Sequence, residues 1–361
     1  VTPGYASLRA LLAEAGYTFV EPPIVHPASV FVELAGEDLR RRLLLTSGAD
    51  GTELALRPDY TIPVCLHHIA SGPAKRRADY AYLGPVFRIR ASGQSEFHQA
   101  GVESLGRADR TGADADMLKL AFEAAALLGV KRPQVRIGDS ALFAAVLDAL
   151  DLNAPWQRRL ERCFGDTRRL KALIKRANGG ARAPSPSAEP VTKAKVRRKV
   201  EELFVATGLG TVGGRVPAEI AERAIEKQAI AEGIGVRAAA ALTAFLGIAG
   251  VPVKAARELN ALARSEKLDI ATAIARFEKR MDALAAHGID LDRLSFAAEF
   301  GRRLDYYTGF VFEVRAPRAS DPLIGGGRYD RMMGLIAKAS GGDVESVPAV
   351  GFAIWLDRVP Q

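Results

Sequence analysis

A chain of 361 residues, 48% of them hydrophobic, can bury a sizeable core and exceeds one ordinary domain, so one large domain with an insertion or two domains is expected. The formal charge of +8 admits an anionic partner without requiring one, because many basic proteins have no nucleic-acid role. Cys65 and Cys163 fit neither a metal-ligand spacing nor a disulfide framework, and no run of 18 apolar residues or leader-like start is present, so a cytoplasmic setting with no membrane span, metal or cofactor is expected.

In chain order, Leu8, Leu11 and Leu12 recur at helical spacing and stop at Gly16, a C-cap residue. Thr18 to Val25 reads as extended, since Pro22 and Pro23 forbid a helix there. Short apolar runs around Gly84-Pro85 and Gly93 predict strand–turn–strand over Tyr80 to Gly106, and Met117 to Leu128 reads as a buried helix. From Asn153 to Asp290 the texture becomes helical and rich in Ala, Arg and Lys, with helices predicted over Ala218–Glu232 and Ala271–His287 and a flexible link at Ala183–Ser187. Between Asn153 and Arg215 fifteen Lys/Arg stand against five Asp/Glu, which suits solvated helix faces and leaves open a docking face for an anion. Strand character returns at Leu294–Phe300 and Leu304–Arg315, the glycine run Gly325–Gly327 introduces a helix near Met332–Ala337, and Val350–Leu356 reads as a buried strand. The division expected is therefore 1–152 and 291–361 as two parts of one α+β core with an antiparallel sheet, and 153–290 as a mostly helical insertion.

Four distant segments carry chemistry. Asp59 and Thr61, two residues apart on an extended chain, point to one face and can accept hydrogen bonds from an ammonium group. Arg88 presents a planar fork for a carboxylate or phosphate, and Gln99 and Glu103 add donors and acceptors, including one for an imidazole N–H. Tyr306 and Tyr307, read as strand residues facing opposite sides, let one pack while the other's hydroxyl lines a pocket. Gly325-Gly326-Gly327-Arg328-Tyr329-Asp330 matches neither phosphate-binding glycine fingerprint but permits close backbone approach to a ligand.

LRPDYT, GPVFR, EFHQAGVE, RRLDYYTG, GGGRYD and PAVGFAIWLDR, in this order and spacing, resemble the catalytic core of the histidyl-tRNA synthetase family. The resemblance implies a class II synthetase fold, with an antiparallel sheet flanked by helices and dimerisation near Gly16–Pro23. It also implies a histidine pocket. Thr61, with Asp59 in place of the family's glutamate, would hold the amino group; Arg88 and Gln99 would meet the carboxylate; Glu103 and Tyr307, beside Tyr306, would address the ring. Arg302 falls where the family places the arginine that assists adenylate formation, and Tyr329 would close the pocket.

The nucleotide half departs from the family. The segment after Arg88 is shortened, Arg90 replaces a glutamate acceptor with donors, Trp355 and Arg303 replace glycines, and Arg358 is retained. The short tail after Arg358 leads us to expect no anticodon-binding domain. What remains resembles the family's non-catalytic branch, the regulatory subunits of ATP phosphoribosyltransferase. That resemblance implies a short-form catalytic partner, L-histidine as effector, a homodimer within a hetero-oligomer acting at the first step of histidine biosynthesis, and no aminoacylation. A minimal histidyl-tRNA synthetase and an RNA-binding paralogue using the basic insertion, at Lys193, Lys195, Arg197, Arg198 and Lys199, stay open as alternatives.

Overall fold

The computed structural model describes residues 3–34, 39–90, 93–179, 230–302, 306–339 and 346–360, together with Arg198, Glu202, Arg223, Lys227 and Val344 as single positions. The link at Ala183–Ser187, most of Ala218–Glu232, Arg303 and all of the basic run except Arg198 lie outside these residues. The strands are β1 (Thr18–Phe19), β2 (Val25–Pro27), β3 (Leu45–Ser47), β4 (Glu53–Leu56), β5 (Ala78–Phe87), β6 (Glu96–Leu105), β7 (Gln134–Asp139), β8 (Ala249–Gly250), β9 (Leu294–Ala297), β10 (Phe310–Arg315), β11 (Ile324–Arg328) and β12 (Ala349–Trp355). Nine of them form one sheet in the order β1-β5-β6-β12-β11-β10-β7-β9-β8, and β2-β4-β3 form a small second sheet.

The six strands from β5 to β7 are antiparallel to their neighbours, as expected. The sheet as a whole is mixed, because β1 pairs with β5 and β9 with β7 in parallel. Each of those strands is joined to its partner by a long crossover, which allows parallel pairing where a hairpin cannot. One face packs against helices. Val135, Ile137, Phe310, Phe312, Val314, Val350, Phe352 and Ile354 alternate along their strands into a single apolar cluster. Helices Arg110–Leu127, Val236–Gly247, Pro252–Glu266 and Ala271–Ala286 supply Leu118, Phe245, Leu259 and Phe277 to that same cluster, so the later helical segment shares the sheet's core. Part of the opposite face is covered by a second cluster built on Phe31, Ile62, Tyr82, Met333 and Trp355.

A buried ionic cluster ties these layers together. Arg280 donates to Asp114 at 2.8 Å and to Asp139 at 2.5 Å, and Arg328 donates to Asp114 at 2.6 Å and Asp330 at 2.9 Å. Charges this deep persist only when each is paired and its remaining hydrogen bonds are met. Asp139 also caps the Ser140–Ala149 helix through Ala141 N–H at 2.8 Å.

Three local expectations are corrected. Asp59 and Thr61 are not on an extended strand, because a helix starts at Thr61 and runs to Ala70. Tyr306 and Tyr307 precede β10 in a turn, with their rings 4.9 Å apart at 46°, so both reach the same side. The three glycines, read only as the introduction to a helix, are themselves part of strand β11, while the helix expected near Met332–Ala337 is present at Met332–Ala339.

Candidate functional site

The uncovered part of the sheet's second face forms a cavity of about 370 Å³ lined by Asp59, Thr61, Arg88, Gln99, Glu103, Arg302, Tyr306, Tyr307 and Tyr329, the nine residues singled out from sequence. They arrive from four places: the turn before the Thr61–Ala70 helix, the β5–β6 hairpin, the turn before β10, and the end of β11. Alternation along β12 sends Gly351, Ala353 and Trp355 to this side while their neighbours fill the core.

Two glycines are required by close approach. A Cβ at Gly325 would overlap the guanidinium of Arg302, which lies flat on β11, and one at Gly351 would overlap the Glu103 carboxylate. Arg57 fixes the turn that presents Asp59. Its guanidinium is buried, donating to Pro85 O at 2.9 Å, Pro22 O at 2.6 Å and Tyr60 Oη at 2.5 Å. Tyr60 in turn stacks on Tyr82 at 4.4 Å.

Glu103 lies on the floor, 1% exposed. Thr61 Oγ1 donates to it at 2.8 Å and the Tyr329 hydroxyl donates to its other oxygen. Burial pushes its carboxyl up to about 8, against the opposing pull of the Tyr329 and Thr61 hydrogen bonds. Thr61, expected to hold an amino group, thus serves Glu103 in this structure. Burial raises the Asp59 carboxyl, with Arg88 opposing, and burial lowers the Arg88 guanidinium to about 10, with Asp59 opposing. The pair is close enough to stabilise each other's charge without cancelling the cost of leaving water. Asp59 Oδ1, Arg88 Nε and Arg302 Nε are all buried and without a hydrogen-bond partner. Polar atoms orphaned in this way are rare in folded proteins, and all three belong to residues that line this one cavity.

The neighbouring surface, where the resemblance places a nucleotide, is a second cavity whose wall carries Arg90, Trp355 and Arg358. Arg90 lies 3.4 Å over the Phe97 ring and is pinned to Asp357 at 2.6 Å. Trp355, 7% exposed, has Arg358 at 4.6 Å and Arg302 at 5.4 Å from its ring. Arg358 donates to Pro322 O at 2.7 Å.

Sequence reasoning missed the outer half of the cavity, where Arg136, Thr167, Glu299, Glu313 and Arg315 line the wall. Lys171 binds Glu299 at 2.6 Å and Arg315 binds Glu313 at 2.9 Å. The signal for Glu313 was present, because Phe310, Phe312 and Val314 alternate into the core and leave Glu313 and Arg315 on the opposite face. Glu299 and Thr167 are brought together by tertiary packing that no local pattern announces. Among the described residues no group of three His, Cys, Asp or Glu side chains is placed to hold a metal ion, and no helix is long and apolar enough to cross a membrane.

Comparison with known proteins gives a consistent result. The family model described as histidyl-tRNA synthetase matches residues 4–208 and 211–359, which includes most of the helical segment. The ATP phosphoribosyltransferase regulatory subunit of Chelativorans sp. (strain BNC1) is 42% identical, covering 98% of this chain and 95% of its own. That of Brucella ovis is 40% identical, covering 99% and 96%. Among solved structures, an ATP phosphoribosyltransferase regulatory subunit/histidyl-tRNA synthetase from Bacillus halodurans superposes with a TM-score of 0.68 at 21% identity, covering 99% of this chain and 78% of that one. A histidine–tRNA ligase subunit from Alicyclobacillus acidocaldarius gives 0.57 at 24% identity, with coverage of 99% and 93%. The structural likenesses speak to the fold.

Proposed function

The chain belongs to the histidyl-tRNA synthetase family and, within it, to the ATP phosphoribosyltransferase regulatory subunits, and from that membership we propose that its cavity receives free L-histidine and does not activate it. It is a regulatory subunit and not the catalytic chain of that enzyme. The observation that carries the proposal is that three residues lining the cavity each hold an unpartnered polar atom, Asp59 Oδ1, Arg88 Nε and Arg302 Nε, which suits a carboxylate partner for an ammonium and guanidinium partners for a carboxylate. Glu103, Tyr307 and Tyr329 surround the space left for the ring.

Activation would bring the ligand carboxylate against a nucleotide phosphate. Arg90 on Phe97, and Trp355 between two arginines, line the neighbouring cavity, which supports binding without chemistry. The partner in this reading is a short-form ATP phosphoribosyltransferase catalytic subunit, met in the cytoplasm by a homodimer of this chain within a hetero-oligomer. Histidine acts as a feedback effector by binding one state of the complex more tightly than the other.

Mixing the chain with a short-form catalytic subunit tests the assignment. Co-elution on a sizing column, activation, and loss of activity on adding histidine are expected; a mixture that neither co-elutes nor gains activity sinks the partner assignment. Histidine-dependent ATP–pyrophosphate exchange by the pure chain would instead establish the synthetase alternative.

A further inference from the structure

Trp355 stands at the junction of the histidine cavity and a second, arginine-lined one that holds Arg42, Arg90 and Arg358; it lines both, as does Arg88. With the Gln99 amide assigned so that its oxygen, not its NH₂, meets the surrounding donors, the indole N–H donates to that oxygen at 3.0 Å and Arg88 Nη2 donates to it at 2.8 Å. Gln99 is 1% exposed, so its amide has no water to fall back on. An amide can rotate by half a turn at little steric cost, and its orientation is set by the donors around it. Here two donors converge on one oxygen. Rotated the other way, Gln99 would present its NH₂ to the indole N–H and to a guanidinium, placing donor against donor.

We infer that Trp355 is the positioning residue for carboxylate recognition: its indole N–H fixes the Gln99 amide, and Gln99 holds one edge of Arg88 so that its guanidinium lines the cavity in a single orientation. Arg88 Nε is buried and lacks a partner, and Asp59 alongside keeps its charge in place. A guanidinium tied at Nη2 presents a defined fork, whereas an untethered one spreads over several rotamers, and that freedom must be lost on binding. The residue that replaces a glycine in the synthetase pattern therefore shapes the amino-acid half of the site as well as lining the neighbouring cavity. No atom of the indole needs to touch the ligand.

The inference rests on the histidine reading above, and the test separates the two. Calorimetry on the full chain compares L-histidine with histamine, which keeps the imidazole and ammonium and lacks the carboxylate. The wild type is expected to prefer histidine. Trp355→Phe keeps a ring and removes the N–H; it should cost about tenfold in histidine affinity and leave histamine nearly unchanged, the effect of one hydrogen bond to a charge-linked network. Gln99→Met should reproduce that selective loss, and the double variant should lose no more than either single one, since both break the same link. Thermal unfolding of each variant reports whether it is folded. An unchanged histidine-to-histamine preference in Trp355→Phe, equal weakening of both ligands, or additive losses in the double variant would each overturn the positioning role. A wild type that binds neither ligand would instead remove the histidine reading itself.

Discussion

Glu103 sits where a carboxylate is hard to ionise: on the floor of a cavity, held by hydroxyls and facing no basic group among its hydrogen-bond partners. Its folded value of about 8 lies above the ordinary carboxylate range. A group raised in this way stabilises the fold at low pH, and that stabilisation is lost as pH rises through the folded value. The wild type is therefore expected to lose melting temperature between about pH 4.5 and about pH 8, and Glu103→Gln to flatten that fall; parallel curves for the two proteins would mean that Glu103 is ionised throughout. Arg88 gives a second prediction at this scale. Arg88→Lys keeps the charge and loses the planar fork, so histidine affinity should fall about tenfold or more in calorimetry with the fold intact. At this scale the sequence was informative about which residues matter and less so about what each one does. Asp59, Thr61, Arg88, Gln99 and Glu103 were legible as polar groups at motif spacing, but that Thr61 donates to Glu103 depends on a separation of 42 positions closed by the sheet. The side on which Tyr306 and Tyr307 fall was misjudged because a turn, with no period of two, carries them.

At the scale of elements, the site depends on strands that are bare where side chains would collide. Gly325→Ala would push the Arg302 guanidinium off β11. The expected result is a folded protein with weakened histidine binding, seen as an unchanged circular dichroism spectrum beside a raised Kd. Retained affinity would show that Arg302 does not meet the ligand. The ionic cluster behind the sheet makes a different demand. Arg280→Met leaves Asp139 buried without its cation and Asp114 with one fewer partner, and should destabilise the protein by about 3 kcal/mol or more in urea unfolding. The glycine run was visible in sequence as backbone freedom, yet its identity as a strand was not. Three glycines have no side-chain period, and their pairing with Phe312 and Phe352 is decided by neighbours. Helices with strong apolar spacing, such as Ala271–Ala286, were legible almost to the residue.

For the whole molecule, regulation is a matter of linkage between two binding events. If histidine changes the affinity of this chain for its catalytic partner by some factor, the partner must change histidine affinity by the same factor. Calorimetry of histidine on the free chain and on the complex, set beside the assembly constant with and without histidine, should return equal ratios. Unequal ratios would place the effector site elsewhere in the assembly. The α+β class and the residues that line the cavity were readable from ordered motifs, because each motif brings its own fixed local geometry. The mixed edges of the sheet, and the way the later helices share its core, were not readable. They follow from contacts between segments distant in sequence, such as Thr18 with Tyr80 and Val135 with Leu294.

The strand order carries a consequence for how the protein is made. β12, the latest of the described strands in the chain, lies in the middle of the large sheet, between β6 and β11. Until the ribosome has released Ala349–Trp355, those two strands have no common neighbour and the cavity lacks Gly351, Ala353 and Trp355 from its floor. A nascent chain halted before Ala349 should therefore expose two unpaired strand edges and retain no histidine, leaving it open to edge-to-edge aggregation. Completion of the cavity therefore waits on the synthesis of β12, however early its other walls are made.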